Sequence, residues 1–480
     1  MERGDDAPNI SSSDNNESAN QPVAEFREGG YGWLVTPSIP VALLNAHTWG
    51  LNSSFAVFLA YYLRSGTFEG TSTIGYAFVG GLSLSIAMLI SPLATYFAGS
   101  KWCGTRKTIF LGAVFETAGF VGASFTSQLW HLLLSQGVAF GVGMGFCFVA
   151  SYPVPTQWFS KRRSLASACA AAGSGFGGFI YSLSTNAMIA RIGLPRTFRA
   201  LAILCFVVNG ACSVLIRDRN KAIGSVTAAF NWRLFARPSY VLLEMWLFFS
   251  VMGYVILLFS IADYSQAVGL TTSQASLVGA LFNLGQGLGR PMIGLSSDSV
   301  GRLNMSCLCT LLCSLLCFFF WIFAARSLAA CIVLAFLSGT VAGVMWATAG
   351  PVCAEVVGLP LIPSALSMSW LVLVIPSTFS EVVGLSLRKE TGYWGYLDVQ
   401  IFVSCMYLVA FMALWMLRAW KVAELEEAGL DKEGRERAVM DDAAMPHESG
   451  VTTDVQVEGA DLVRHRRRAM LRGLWAIERV

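Results

Sequence analysis

Asn283, Gln286 and Arg290 stand at positions i, i+3 and i+7 within one apolar stretch, near residues 274–296. That spacing puts all three on one face of a helix. The stretch is long enough to lie in a bilayer, where an arginine at mid-depth costs about 2.5–3.5 kcal/mol on insertion scales. Its guanidinium therefore needs water, a partner or a ligand. The chemistry on offer is recognition of an anion: charge-assisted hydrogen bonds from Arg290 to a carboxylate, with Gln286 and Asn283 to orient it. The competing reading is an arginine near the helix end that reaches the headgroups by snorkelling. Asn45 and His47, inside the first apolar run, are further candidates to line the same pathway, and His47 is of a type that titrates near neutral pH. Tyr254 and Trp346 read either as core or lipid-facing aromatics or as rings that stack on a substrate.

Twelve apolar runs of bilayer length carry these residues. They fall near 33–62, 73–97, 108–126, 130–152, 164–188 and 197–216, then near 239–262, 274–296, 303–324, 328–349, 364–386 and 398–419. The chain is 55% hydrophobic and 13% charged, against about a quarter charged in soluble domains. The expected fold is an all-α membrane protein of twelve transmembrane helices in two pseudo-symmetric six-helix bundles. Residues 28–216 form the first bundle, 217–238 a connector and 239–420 the second. The tails 1–27 and 421–480 are expected in the cytoplasm, the first of them disordered.

Most of the twelve cysteines sit inside apolar runs as small hydrophobes. The cluster Cys307, Cys309, Cys313 and Cys317 has no histidine or carboxylate beside it, so no metal is expected. A net charge of +3 gives no case for nucleic acid. No nucleophile–base set, no paired catalytic carboxylates and no phosphate-binding loop appear, so neither an enzyme nor a cofactor is expected.

The clusters Lys161–Arg163 and Arg217–Lys221 decide the orientation, since basic residues favour the cytoplasmic face. Both termini are then inside, and the plasma membrane is the expected location, with the vacuolar membrane as alternative. The segment 465–475, basic with interleaved apolar residues, reads either as a strip lying on the anionic inner leaflet or as a solvated tail. Oligomeric state is left open.

Three motifs carry a resemblance. Gly294-Leu-Ser-Ser-Asp298-Ser-Val-Gly301-Arg302 joins the eighth and ninth runs and resembles the loop signature of the major facilitator superfamily, fitting two pseudo-symmetric bundles that rock about a central site. The matching loop in the first half, Ala98 to Lys107, keeps glycine and basic residues but has no aspartate. Glu28-Gly-Gly-Tyr-Gly-Trp33 and Trp158-Phe-Ser-Lys161-Arg162-Arg163-Ser-Leu-Ala are similar to the two signatures of the monocarboxylate transporter family. The short connector and the form Gln286-x-x-Gly289-Arg290-Pro291 look like its fungal branch. The small residues Ala168, Ala172, Gly173, Gly175 and Gly177 are expected to let helix five pack closely, as are Gly339 and Gly343 in helix ten.

The resemblance implies a transporter in which Lys161, Arg162, Arg163, Asp298 and Arg302 work the inner gate. The family's proton-coupled carriers use a lysine in helix one and an aspartate one turn before the helix-eight arginine. Residues 34–63 hold neither lysine nor arginine, and Gln286 replaces the aspartate. The expected function is movement of a small or medium organic anion, monocarboxylate-like or a secondary metabolite, by alternating access, with export fitting the lost carboxylate. The alternatives are proton-coupled uptake of a monocarboxylate or vitamin, and a non-transporting sensor on the same fold.

Overall fold

A computed structural model of the chain describes residues 38–65, 73–225, 228–323, 327–389 and 394–444. The Glu28–Trp33 motif, the 1–27 tail and the basic stretch 465–475 lie outside the described residues. Twelve helical passes follow one another. α1 comes in three pieces, Ser38–His47, Trp49–Ser53 and Phe55–Ser65, and α2 in two, Thr73–Leu89 and Ser91–Gly99. Then come α3 (Gly104–Ala123), α4 (Leu129–Trp158), α5 (Arg163–Ile192) and α6 (Leu194–Leu215). After a connector with one short turn, Trp232–Ala236, the second six are α7 (Pro238–Ala267), α8 (Thr272–Val300), α9 (Arg302–Trp321), α10 (Leu328–Val357), α11 (Leu359–Leu387) and α12 (Leu397–Ala444).

Hydropathy explains most of these and omits the informative ones. Among the described residues, seven helices are long and apolar enough to cross a membrane, and an eighth is α2 taken across its 41° bend. The other four are α1, α3, α5 and α8. α1 is interrupted where the Thr48 and Ser54 hydroxyls bond the carbonyls of Leu44 and Leu51. α3 contains a buried glutamate, Glu116. α5 and α8 are diluted by glycine, serine and amides, and these two build the centre of the molecule.

Ile203, Val207 and Val214 stand 60–67% exposed along one face of α6, the apolar outer face that a bilayer covers. Inside, Trp246, Trp321 and Trp370 are fully buried. α5 packs on α1 along one side and on α8 along the other. A Cβ on Gly173 would lie 1.8 Å from the Ala42 carbonyl oxygen of α1, and one on Gly175 would lie 2.3 Å from the Gly287 nitrogen of α8. Only glycine permits backbones this close.

Three carboxylates within the helices find partners. Glu116 accepts from Asn209 Nδ2 of α6 at 2.6 Å. Glu244, 4% exposed, accepts from Ser369 Oγ of α11. Glu355, half-buried, pairs with Arg302 at 2.9 Å.

Candidate functional site

α8 begins at a capping box, in which Thr271 Oγ1 accepts from the Gln274 nitrogen and Gln274 Oε1 accepts from the Thr271 nitrogen. It ends at Gly301, φ +114°, a backbone conformation that favours glycine. Pro291 inside the helix has no N–H to give the Gly287 carbonyl. Between these limits the helix presents Asn283, Gln286 and Arg290 inward, each 3% exposed or less. The snorkelling alternative is thereby excluded: Arg290, at 2%, points into the seam between the two halves.

Arg290 Nη1 donates to the Ala171 carbonyl of α5 at 2.6 Å and to Ser174 Oγ, and Nη2 donates to Gln286 Oε1. Gln286 is held in turn: Oε1 accepts from the Tyr254 hydroxyl at 2.8 Å, and Nε2 donates to Asn283 Oδ1 at 3.3 Å. Every acceptor around the guanidinium is neutral. Arg290 Nε is buried without a hydrogen bond, and no carboxylate pairs with Arg290 among the described residues. A charge in that state is costly, and an anion that met it would relieve the cost.

Beside the guanidinium lies a cavity of about 30 Å³, lined also by Asn45, Trp49, Ser53, Phe148, Tyr152 and Trp346. That is room for one or two waters, so the halves are closed around the site. Trp49 of α1 sits 5.0 Å, centroid to centroid, from both Phe148 and Trp346, and Trp346 stacks at 5.9 Å on Trp370. The rings come from both halves and form one wall opposite the charge. Of the two readings open for Trp346 and Tyr254, the structure gives Trp346 a place on the cavity wall and Tyr254 a bond to Gln286.

The remaining expected residues divide. Asn45 lines the cavity and donates to the Ala170 carbonyl at 2.9 Å. His47 does not line it: Nδ1 bonds the Leu43 carbonyl at 2.8 Å and the ring packs edge-on against Tyr181. Lys161 and Arg162 are exposed on the α4–α5 connection, and Arg163 Nε donates to the Phe159 carbonyl. Asp298 and Arg302 come together at the end of the molecule that bears these basic loops, here termed the basic end. Asp298 accepts from the backbone nitrogens of Ser164 and Leu165, both at 3.0 Å, the unsatisfied first turn of α5. Arg302 adds bonds to Ser164 Oγ, the Ser160 carbonyl and Glu355. The latch thus spans the two halves. Its first-half counterpart stays within its own half, Arg106 donating to the Ile216 carbonyl. Tyr152 adds a second tie across the halves, donating to the Trp346 carbonyl and accepting from the Gly350 nitrogen of α10.

Sequence reading missed Ser174, and it took Gly343 for a packing residue. A Cβ on Gly343 would lie 2.9 Å from Arg290 Nη2 and 3.1 Å from Nε, so this break in α10 is the space the guanidinium occupies. Gly343→Ala is expected to fold, because the displaced atoms are the end of a flexible side chain. It is expected to weaken anion binding roughly tenfold, about 1.4 kcal/mol, in a titration against the unaltered protein. Gly339, whose Cβ would meet the Phe282 carbonyl at 2.3 Å, is a true packing position.

A family model described as the Major Facilitator Superfamily matches residues 39–262. The probable transporter MCH2 of Saccharomyces cerevisiae is 30% identical over 410 residues, 84% of this chain and 86% of that protein. The chain belongs to the major facilitator superfamily. It falls in a fungal branch, with similarity to the Fujikurins efflux protein of Gibberella fujikuroi (26% over 364 residues, 74% and 77% of the two chains) and to the riboflavin transporter MCH5 of S. cerevisiae (26% over 377 residues, 73% and 71%). Among solved structures, the proton:xylose symporter XylE bound to 6-bromo-6-deoxy-D-glucose has the same fold, with a TM-score of 0.61 at 15% identity over 79% of this chain and 94% of that one. The protein is an integral membrane transporter of this superfamily.

Proposed function

We propose that the protein moves a small or medium organic anion by alternating access, with Arg290 as its counter-charge. The observation that carries the reading is a buried guanidinium whose partners are all neutral and whose Nε is unbonded, facing a cavity between the halves. Asn45, Gln286 and Asn283 orient the anion or its donor, and the wall of Trp49, Phe148 and Trp346 receives a flat apolar body by stacking. Asp298 and Arg302 close the basic end, with Lys161, Arg162 and Arg163 flanking them. That end faces the cytoplasm in this reading, with both termini inside, the bundles at 28–216 and 239–420, and the plasma membrane as the site of action.

Export is the favoured direction. A relative named for efflux of fujikurins supports it; the relative named for riboflavin supports a vitamin carrier instead. The test is counterflow in proteoliposomes, comparing aromatic carboxylates with their carboxamides, which match them in shape but carry no charge. Exchange of the carboxylates alone is the expected outcome, and equal exchange of both sets would remove the counter-charge from the account.

A further inference from the structure

α11 carries a carboxylate that the site above does not use. Glu381 is 9% exposed, and no hydrogen bond or ion pair reaches it among the described residues. The two other buried carboxylates among the described residues differ from it, Glu116 being bonded to Asn209 and Glu244 to Ser369.

Where Glu381 points follows from its neighbours. Ile375 and Phe379, 56% and 52% exposed, mark the outer face of α11. At about 100° per residue, Glu381 lies on the opposite side, about 160° from Phe379. Thr378, about 60° to one side of it, bonds Ser85 of α2 at 2.6 Å. Gly384, about 60° to the other side, faces α7, where a Cβ would lie 3.1 Å from Ile256 Cγ2. Glu381 therefore projects into the wedge between α2 of the first half and α7 of the second. Trp370 and Ser377, both buried, lie on the same face of α11 toward the basic end.

Among the described residues, no charge stands ready to compensate it. On α2, Tyr76 stacks on Tyr62. On α7, Tyr254 bonds Gln286, Asp263 pairs with Arg388, and Tyr264 packs on Trp321 and Tyr396. Closer to the basic end, Tyr240 and Glu244 are bonded to Ser369. On α12, Asp398 pairs with Lys389, Tyr407 donates to the Ala342 carbonyl, and Cys405 is a half-buried thiol.

We propose that Glu381 is a proton-binding site in the translocation pathway, and that the wedge between α2, α7 and α11 closes only when its carboxyl is neutral. An ionised carboxylate shut into this wedge would be an unpaired buried charge. When the wedge opens, water reaches the group and the proton can leave to it; when a proton returns, the carboxyl re-forms and the halves can close. The proposal rests on the reading of the protein as an alternating-access anion carrier. It gives that carrier a titrating group on α11 in place of the aspartate that Gln286 replaces on α8.

Two measurements on the full chain test it. Infrared difference spectra of purified protein in nanodiscs, unaltered minus Glu381→Gln, need no substrate. A protonated-carboxyl C=O band at neutral pH that the variant lacks is expected, and its absence from the difference spectrum overturns the proposal. The second measurement is counterflow of benzenesulfonate, an aromatic anion too strong an acid to carry a proton itself. The unaltered protein should slow as pH rises through the Glu381 titration, Glu381→Asp should keep that dependence, and Glu381→Gln should lose it. A pH profile identical in Glu381→Gln and the unaltered protein overturns the proposal, as does exchange that depends on sodium and not on pH. Loss of all anion counterflow with the infrared band intact would count against the Arg290 reading and leave the proton on Glu381 established.

Discussion

Replacing Arg290 with glutamine is expected to leave a folded protein that no longer separates an organic anion from its neutral amide. Removing one member of a buried, hydrogen-bonded charge pair costs about 2–5 kcal/mol of binding, so carboxylate affinity should fall by roughly 30- to 4000-fold. The effect on stability should run the other way. Without ligand the guanidinium is buried among neutral acceptors, with Nε unbonded, and removing an uncompensated buried charge is neutral or stabilising. The variant should therefore melt at or above the temperature of the parent when empty and gain nothing from added anion. Arg290→Lys should fall between the two, because an ammonium keeps the charge but loses the planar fork that reaches Ala171, Ser174 and Gln286 together. A variant that melts well below the parent and still binds carboxylate would make Arg290 a structural residue.

Asp298→Ala is expected to open the basic end. Its carboxylate holds two backbone nitrogens in the first turn of α5 from a position at the end of α8, so one side chain ties the two halves. Hydrogen bonds to a charged group are worth about 1.5–3 kcal/mol net. Losing both should shift the closed-to-open equilibrium by at least about 3 kcal/mol, roughly 150-fold or more. Asp298→Asn keeps one acceptor oxygen and should shift it by about half that energy. Spin labels at the exposed positions Lys161 and Ser299 should report one short distance in the parent and a second, longer population in Asp298→Ala. An unchanged distribution would mean that Tyr152 and the close packing of α5 on α8 hold this end without the latch.

Much of the site was legible because helical periodicity needs no partner. Asn283, Gln286 and Arg290 share a face by spacing alone, and the price of burying a guanidinium placed that face inward. His47 shows where residue type misleads, since its ring is taken up by Leu43 and Tyr181. Ser174, Gly343 and Glu381 were hidden for a common reason. Each acquires its role from a helix far away in sequence: Ser174 from α8, Gly343 from the guanidinium it leaves room for, Glu381 from the wedge between α2 and α7. The fold divides in a similar way. Long apolar passes such as α7 and α10 are evident from composition, whereas α1 is broken into three short pieces, and α5 and α8 fall short in hydropathy because glycines, hydroxyls and amides replace apolar side chains along the pathway.

The central claim is that an anion meets Arg290 between the two halves. A cryo-EM structure of the full chain in nanodiscs, with an exchanged aromatic carboxylate bound, tests it most directly. The carboxylate is expected within hydrogen-bonding distance of Arg290 Nε, with the ring lying among Trp49, Phe148 and Trp346. An anion bound elsewhere, with the guanidinium still on Ala171, Ser174 and Gln286, would contradict it.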